Sequence, residues 1–126
     1  MQYVYLDGDG VGSKLHAHLI NANMEGAAGL SESVTRVLGK IASVLRATGA
    51  RIVFVGGDNI FALADVDQAL LESAIALFMA ETGVTASVGV GETASDALLA
   101  LTVAKSLGGS RVIWRRGSTP SGPKCR

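Results

Sequence analysis

The stretch YVYLDGDG at residues 3–10 and the stretch RIVFVGGDNIFAL at residues 51–63 decide the fold of this chain. Each begins with β-branched, aromatic and aliphatic residues typical of a strand, and each strand runs into a turn that contains glycine and aspartate. The second strand pattern resumes beyond its turn, which predicts a β-hairpin with residues 56–59 at the tip. Because the segment between the two stretches has a helical pattern, the first two strands are predicted to be parallel neighbours in one sheet.

The two turns are predicted to meet at one edge of that sheet. Parallel strands end at the same edge and neighbouring strands lie about 4.8 Å apart, so Asp7, Asp9 and Asp58 should come together. Carboxylate oxygens are the ligands that Mg²⁺ prefers, with substrate phosphates completing the shell. The sequence therefore predicts a site for Mg²⁺ or Mn²⁺ and a triphosphate, although aspartate beside glycine is also common in plain turns.

The composition indicates one compact domain. The chain has 126 residues, 48% of them hydrophobic, and no apolar run reaches the roughly 18 residues of a membrane span. Residues 1–3 lead directly into a strand, so we expect no signal peptide and a cytoplasmic location. The single cysteine, Cys125, excludes an internal disulfide.

The charge is unevenly distributed. Four of the eleven basic residues lie in positions 115–126, which leaves seven bases against eleven acids in the preceding part. An acidic body argues against a broad surface for duplex nucleic acid. It favours a small anionic ligand whose charge is carried by a metal ion.

The element order is predicted to be β-α-α-β-β-α-β-α-β. A glycine-rich turn opens onto a first helix, residues 21–29 form a break, and a second helix runs from the predicted N-cap Ser31 to Thr48. A third helix begins near Asp65 and ends at Gly83. The predicted fold is α+β, a ferredoxin-like split βαβ arrangement with a mostly antiparallel sheet and helices on one face. The helix residues expected to form apolar faces are Leu15, Leu19 and Ile20; Val34, Val37, Leu38, Ile41, Val44 and Leu45; and Val66, Leu70, Leu71, Ala74, Ile75 and Phe78.

The last third of the chain has distinctive glycines and one isolated lysine. Gly89 and Gly91, in and after a fourth strand at residues 85–90, indicate that another element packs closely there. Thr93 is predicted to cap a final helix, followed by a short strand at residues 111–114 and a disordered tail at residues 115–126. Lys105, on that helix, is predicted to approach the triphosphate, with an ordinary solvated lysine as the alternative. The apolar residues of the final helix are Leu98, Leu99, Leu101, Val103 and Leu107.

The Asp-Gly-Asp turn, the hairpin motif and the segment SVGVG at residues 87–91 with the helix and strand that follow it resemble the palm-type nucleotide cyclase and polymerase superfamily. This superfamily includes GGDEF diguanylate cyclases and the polymerase subunit of type III CRISPR complexes. The resemblance is strongest to the minimal CRISPR polymerases (mCpol) and extends from residue 3 to residue 114. It implies a palm domain at residues 1–114 that makes a cyclic di- or oligonucleotide messenger from nucleoside triphosphates, ATP favoured, in prokaryotic antiviral defence. It also implies a homodimer and a downstream effector that recognises the product.

The resemblance also implies roles for individual residues. Asp7 and Asp58 would bind the metal with help from the Gly8 carbonyl, and Asp7, Asp58 and Asn59 would form the catalytic set. Lys105 would meet the triphosphate. The full predicted substrate-binding set is Gly8, Asp9, Gly10, Val11, Gly12, Gly56, Gly57 and Lys105.

Asn59 is a departure from the CRISPR-type hairpin motif, which ends in two aspartates. An asparagine offers a neutral oxygen and brings no charge, so both an active enzyme and a nucleotide-binding sensor without turnover are open interpretations. A palm-type triphosphate hydrolase or cyclohydrolase is the third open interpretation. Asn21 and Asn23 could contact a purine edge, or could simply mark the end of a helix.

Overall fold

The computed structural model describes residues 1–116 and has the predicted order of elements. No helix in this part of the chain is long and apolar enough to cross a membrane. The tail predicted at residues 115–126 falls outside the described residues from position 117 onward, and Arg115 belongs to the last strand. The elements are β1 (Gln2–Gly8), α1 (Val11–Ile20), α2 (Met24–Ala47), β2 (Arg51–Gly56), β3 (Asn59–Ala64), α3 (Gln68–Thr82), β4 (Ala86–Gly91), α4 (Ala94–Ser106) and β5 (Val112–Arg115).

The five strands form one sheet in the order β2-β3-β1-β4-β5. All pairs are antiparallel except β4 and β5. The prediction that β1 and β2 are neighbours is wrong, because the hairpin folds β3 back between them. Since β3 is antiparallel to both, β1 and β2 still run in the same direction. The hairpin tip therefore reaches the edge at which β1 ends.

One face of the sheet carries the main core. Alternate residues of the strands, among them Val4, Leu6 and Val88, are almost fully buried beneath α2 and α3. The predicted stripe of α2 is buried apart from Val44, which is 46% exposed. Leu19 and Ile20 of α1, predicted to share an apolar face with Leu15, are also largely exposed.

Helix α2 begins at Met24, well before the predicted N-cap Ser31. Asn23 caps it, accepting a hydrogen bond from the Gly26 amide at 2.9 Å, so most of the expected break is helical. The small residues in this segment reduce helix propensity without preventing a helix that packs on its neighbours.

Helix α4 packs on the opposite face, so the prediction of helices on one face holds for α1, α2 and α3 only. A side chain at Gly89 would overlap the Ala97 carbonyl oxygen and the Leu101 amide nitrogen of α4, and Gly91 is similarly crowded. The close packing predicted from these glycines is confirmed. Because the gap is narrow, α4 turns small residues toward the sheet, and four of the five predicted apolar residues face outward. The buried apolar residues are Ala97, Ala100, Leu101 and Ala104, and the exposed ones are Leu98, Leu99, Val103 and Leu107.

Candidate active site

The hairpin tip meets the end of β1 at one edge of the sheet. The Gly8 amide donates a hydrogen bond to the Asp58 carbonyl oxygen at 3.0 Å, and Asp7 lies directly opposite Asn59 in the β1–β3 pair. Gly57 makes the turn possible with a left-handed φ of 49°. The prediction that residues 7 and 58 lie at a common rim is confirmed.

Asp7 and Asp58 form a repelling pair of carboxylates. Burial raises the pKa of Asp7, and the nearby charge of Asp58 raises it further, against the opposing effect of Lys105. Two hard oxygen donors with excess negative charge fit a divalent cation, since Mg²⁺ commonly takes only one or two carboxylates from the protein.

Lys105 lies at this rim because α4 runs back from the far edge of the sheet and ends beside β1. Its Nζ lies 3.1 Å from Asp7 Oδ2 and 3.0 Å from Asp9 Oδ1, and donates to the Gly8 carbonyl oxygen at 3.0 Å. Burial opposes the charge of Lys105, but the two carboxylates outweigh it and raise the pKa of the ammonium group. Lys105 therefore remains positively charged, with its ammonium group shared among Asp7, Asp9 and the Gly8 carbonyl oxygen.

Asp9 belongs to a different arrangement from the one predicted. Its Oδ2 accepts hydrogen bonds from Thr85 Oγ1 at 2.8 Å and from the Ser110 amide at 2.9 Å. Its Oδ1 accepts from Ser87 Oγ at 2.8 Å and from Lys105. Partial burial raises the pKa of Asp9, but the hydrogen bond from Lys105, followed by those from Thr85, Ser110 and Ser87, lowers it below the usual range.

Asp9 lies at the predicted rim and shares Lys105 with Asp7, but the three carboxylates do not form one metal-holding group. Both oxygens of Asp9 are already engaged, and residues 1–116 contain no group of three or more histidine, cysteine or acidic side chains placed to hold a metal ion. Asp7 and Asp58 remain as the acidic pair. Thr85, Ser87 and Ser110 were not among the predicted site residues. The one signal in the sequence was Ser87, a hydroxyl side chain in an otherwise small and apolar strand. In the structure Ser87 is fully buried, so its hydroxyl group needs a hydrogen-bond partner such as Asp9.

Two open pockets adjoin the rim. One, of about 340 Å³, lies between α1, α2 and the hairpin tip and includes Asp58. The other, of about 270 Å³, lies beside Lys105 and Asp9. The first is lined by Val11, Gly12, Leu15, Ser31, Val34, Thr35, Gly57 and Asp58, and the second by Asp9, Gly10, Lys105, Gly108 and Gly109.

The other predicted site residues lie at the ends of helices and strands. Gly10 precedes α1 with a left-handed φ of 74°, and no side chain caps the first amides of this helix. Gly56 ends β2 opposite Asn59. Asn23, considered for base recognition, caps α2, and its Nδ2 lies 3.3 Å from His18 Nδ1.

The comparison with protein families decides the identity of the fold. The model of the minimal CRISPR polymerase domain (mCpol) matches residues 3–114, nearly the whole described chain. This chain belongs to the mCpol family. The family assignment confirms the resemblance and the ferredoxin-like palm fold.

Solved structures share the mCpol fold at low sequence identity. The Csm1-Csm4 cassette in complex with cA4 has a TM-score of 0.66 and 21% identity, and the match covers 98% of this chain but only 22% of that one. An EAL/GGDEF domain protein from M. capsulatus has a TM-score of 0.56 and 16% identity, over 94% of this chain and 84% of that one. The GGDEF domain of TpbB (YfiN) from Pseudomonas aeruginosa has a TM-score of 0.50 and 12% identity, over 90% and 76%. A search of curated proteins finds no match.

Proposed function

We propose that this mCpol domain is a metal-dependent nucleotidyltransferase that joins nucleoside triphosphates, ATP favoured, into a cyclic di- or oligonucleotide. The observation that carries the proposal is the meeting of Asp7 and Asp58 at one rim with the Lys105 ammonium group 3.1 Å from Asp7. A repelling carboxylate pair and a fixed cation are what a metal-bound triphosphate requires. The proposed biological setting is a homodimer in prokaryotic antiviral defence, whose product is recognised by an effector.

Asp7 and Asp58 are the residues that would hold Mg²⁺ or Mn²⁺. When bound, the metal neutralises phosphate charge and lowers the pKa of an attacking ribose hydroxyl. The protein would orient the triphosphate so that this hydroxyl reaches the α-phosphorus. The hydroxyl proton passes to solvent water, the phosphodiester bond forms, and pyrophosphate leaves with the electrons of the broken α-phosphorus–oxygen bond. The Gly8 carbonyl is engaged by Lys105 and would be available to the metal only if that hydrogen bond opens.

The triphosphate would lie between Lys105 and the start of α1. The free amides of the first turn of α1 and the Lys105 ammonium supply positive charge from two directions. The pocket of about 340 Å³ next to Asp58 is large enough for part of a nucleoside, with apolar walls for the base. Ser31 and Thr35 are the hydroxyl groups in its lining that could contact the base or ribose.

The test is incubation with Mg²⁺ or Mn²⁺ and labelled ATP and GTP, followed by measurement of pyrophosphate and mass spectrometry of the products. We expect a phosphodiester-linked product and a loss of at least about 100-fold in Asp58→Ala, because one of two metal ligands is removed. Glu25→Gln, an exposed carboxylate on α2, is the matched control and should retain activity. Pyrophosphate release that is absent, or equal in Asp58→Ala and wild type, would refute the proposal. Hydrolysis products without a phosphodiester would identify a triphosphate hydrolase instead.

A second candidate function is a nucleotide-binding sensor, favoured by Asn59. This neutral side chain lies opposite Asp7, at the position where a further carboxylate would add charge to the metal site. Calorimetric binding of ATP and Mn²⁺ without any product would support the sensor. Product formed by Asn59→Asp but not by wild type would identify an enzyme disabled at this one position.

A further inference from the structure

We infer that Asp9 is a positioning residue that holds the Lys105 ammonium group at the rim when the metal site is filled, and that Asp9 is not itself a metal ligand. This inference rests on the proposed function and concerns the same site. It assigns the two aspartates of the Asp-Gly-Asp turn to two tasks, with Asp7 facing the metal and Asp9 facing the lysine.

Two carboxylates surround the ammonium group of Lys105. Without a metal, Asp7 and Asp9 both pair with the ammonium group, at 3.1 and 3.0 Å. A divalent cation on Asp7 and Asp58 would repel Lys105 and would compete with it for Asp7. Asp9 is then the one carboxylate in contact with Lys105 that the metal does not take, so it keeps the ammonium group next to the incoming phosphates.

Asp9 is held from several directions. Thr85, just before β4, and the buried Ser87 of β4 fix it on one side, and the Ser110 amide fixes it from the loop before β5. The Asp9 amide also donates to the Thr85 carbonyl oxygen at 2.8 Å. A metal ion could bind this carboxylate only by breaking these hydrogen bonds. Asp9 is therefore better suited to act as a fixed negative charge than as a metal ligand.

The α4–β5 loop also lies against Asp9, although an open pocket remains beside Asp9 and Lys105. A Cβ atom at Gly109 would lie 2.6 Å from Asp9 Oδ2, so the α4–β5 loop closes directly onto this carboxylate. Lys105 is held from the other side by its place in the last turn of α4. Asp9 and Lys105 are therefore each anchored by neighbouring elements, which favours preorganised contact with a triphosphate.

The decisive experiment measures metal binding and substrate binding separately. In Asp9→Asn we expect the Mn²⁺ affinity, measured by electron paramagnetic resonance without nucleotide, to change less than about threefold, whereas Asp7→Asn should lose at least about tenfold. The KM for ATP should rise about tenfold or more in Asp9→Asn with a smaller change in kcat. If Asp9→Asn loses Mn²⁺ as completely as Asp7→Asn, the inference is overturned.

A double-mutant cycle with Lys105→Met tests whether Asp9 acts through the lysine. If it does, Asp9→Asn, Lys105→Met and the double variant should lose similar factors in kcat/KM, and independent roles would make the losses multiply. Should Asp9→Asn fail to fold, Thr85→Val and Ser87→Ala remove single supports of Asp9 and should raise the KM for ATP by smaller factors. An unchanged KM in both would also overturn the inference.

The metal-binding measurement needs no turnover, so the inference and the proposed function fail in different ways. If no product forms with any triphosphate, the affinity for ATP with Mn²⁺, measured by calorimetry, takes the place of KM. In that case a tenfold loss in Asp9→Asn still supports the role of Asp9, and an unchanged affinity contradicts it.

Discussion

At the scale of single residues, the most informative group is the Asp7 carboxyl. Burial and the charge of Asp58 raise its pKa, although Lys105 partly compensates. In the metal-free protein we expect ¹³C NMR to show Asp7 titrating above the ordinary carboxyl range, about 3.9. Asp58→Asn should lower the pKa of Asp7 because it removes the repelling charge. A pKa for Asp7 that is ordinary in wild type and unmoved in Asp58→Asn would contradict the close pairing of the two carboxylates.

The same electrostatics predicts the effect of Asn59→Asp. Side chains directly opposite each other in an antiparallel pair have Cβ atoms about 4.5–5.5 Å apart, so the new carboxylate would lie next to Asp7. Without metal, we expect the melting temperature to fall by a few degrees, because like charges repel. The stabilisation by Mn²⁺ should exceed that of wild type, because a third carboxylate joins the site. Equal shifts with Mn²⁺ in both proteins, measured by thermal denaturation, would indicate that residue 59 does not reach the metal.

At the scale of elements, the sequence predicted the order of all nine helices and strands within residues 1–116, but not where α4 packs. Sequence patterns report that a helix has an apolar face, and α4 has apolar residues on every side. Which side turns inward is decided by the room available, and at Gly89 and Gly91 the backbone of α4 comes too close to the sheet for a side chain on the strand. The position of β3 between β1 and β2 was missed for a related reason, since hairpin pairing fixes only one of its two neighbours.

For the candidate site too, the sequence predicted the placement by the backbone but not the side-chain contacts between distant residues. Strand ends and glycine turns brought Asp7 and Asp58 to one rim, because these are properties of the backbone. The partners of Asp9 come from residues more than 70 positions away, and no local pattern encodes them. A buried serine in β4 was the one available signal.

The packing of α4 gives a prediction at this scale with a matched control. Gly89→Ala should destabilise the domain by about 2–4 kcal/mol, because the added methyl group overlaps backbone atoms that cannot move independently. Gly39→Ala, in the middle of α2 with nothing near its added methyl, should stabilise it by about 0.5–1 kcal/mol. Urea unfolding followed by circular dichroism measures both. A loss of less than about 0.5 kcal/mol in Gly89→Ala would contradict the close contact.

At the scale of the whole molecule, Asp9 joins parts that are distant along the chain. It links the end of β1 to the start of β4 through Ser87 and the preceding Thr85, to α4 through Lys105, and to the loop before β5 through Ser110. Hydrogen bonds to a charged group each contribute about 1.5–3 kcal/mol when partly buried, and less where water reaches them. Protonation of this one carboxyl should therefore weaken the global fold.

The sign of the pH dependence follows from the direction of the shift. Because the pKa of Asp9 is lower in the folded protein than in the unfolded chain, its contribution is fully present above the unfolded value, about 3.9, and is lost as the pH falls through the folded value. Asp9→Asn should reduce the free energy of unfolding by about 1–3 kcal/mol at pH 7. The gap between this variant and wild type should shrink as the pH falls below about 4. Urea unfolding from pH 7 to pH 3 measures the gap, with Asp65→Asn, an exposed carboxylate paired with the chain N-terminus, as the control. A gap that stays constant over this range would mean that Asp9 stabilises the fold by its shape and neutral hydrogen bonds, and that its charge contributes nothing to holding the molecule together.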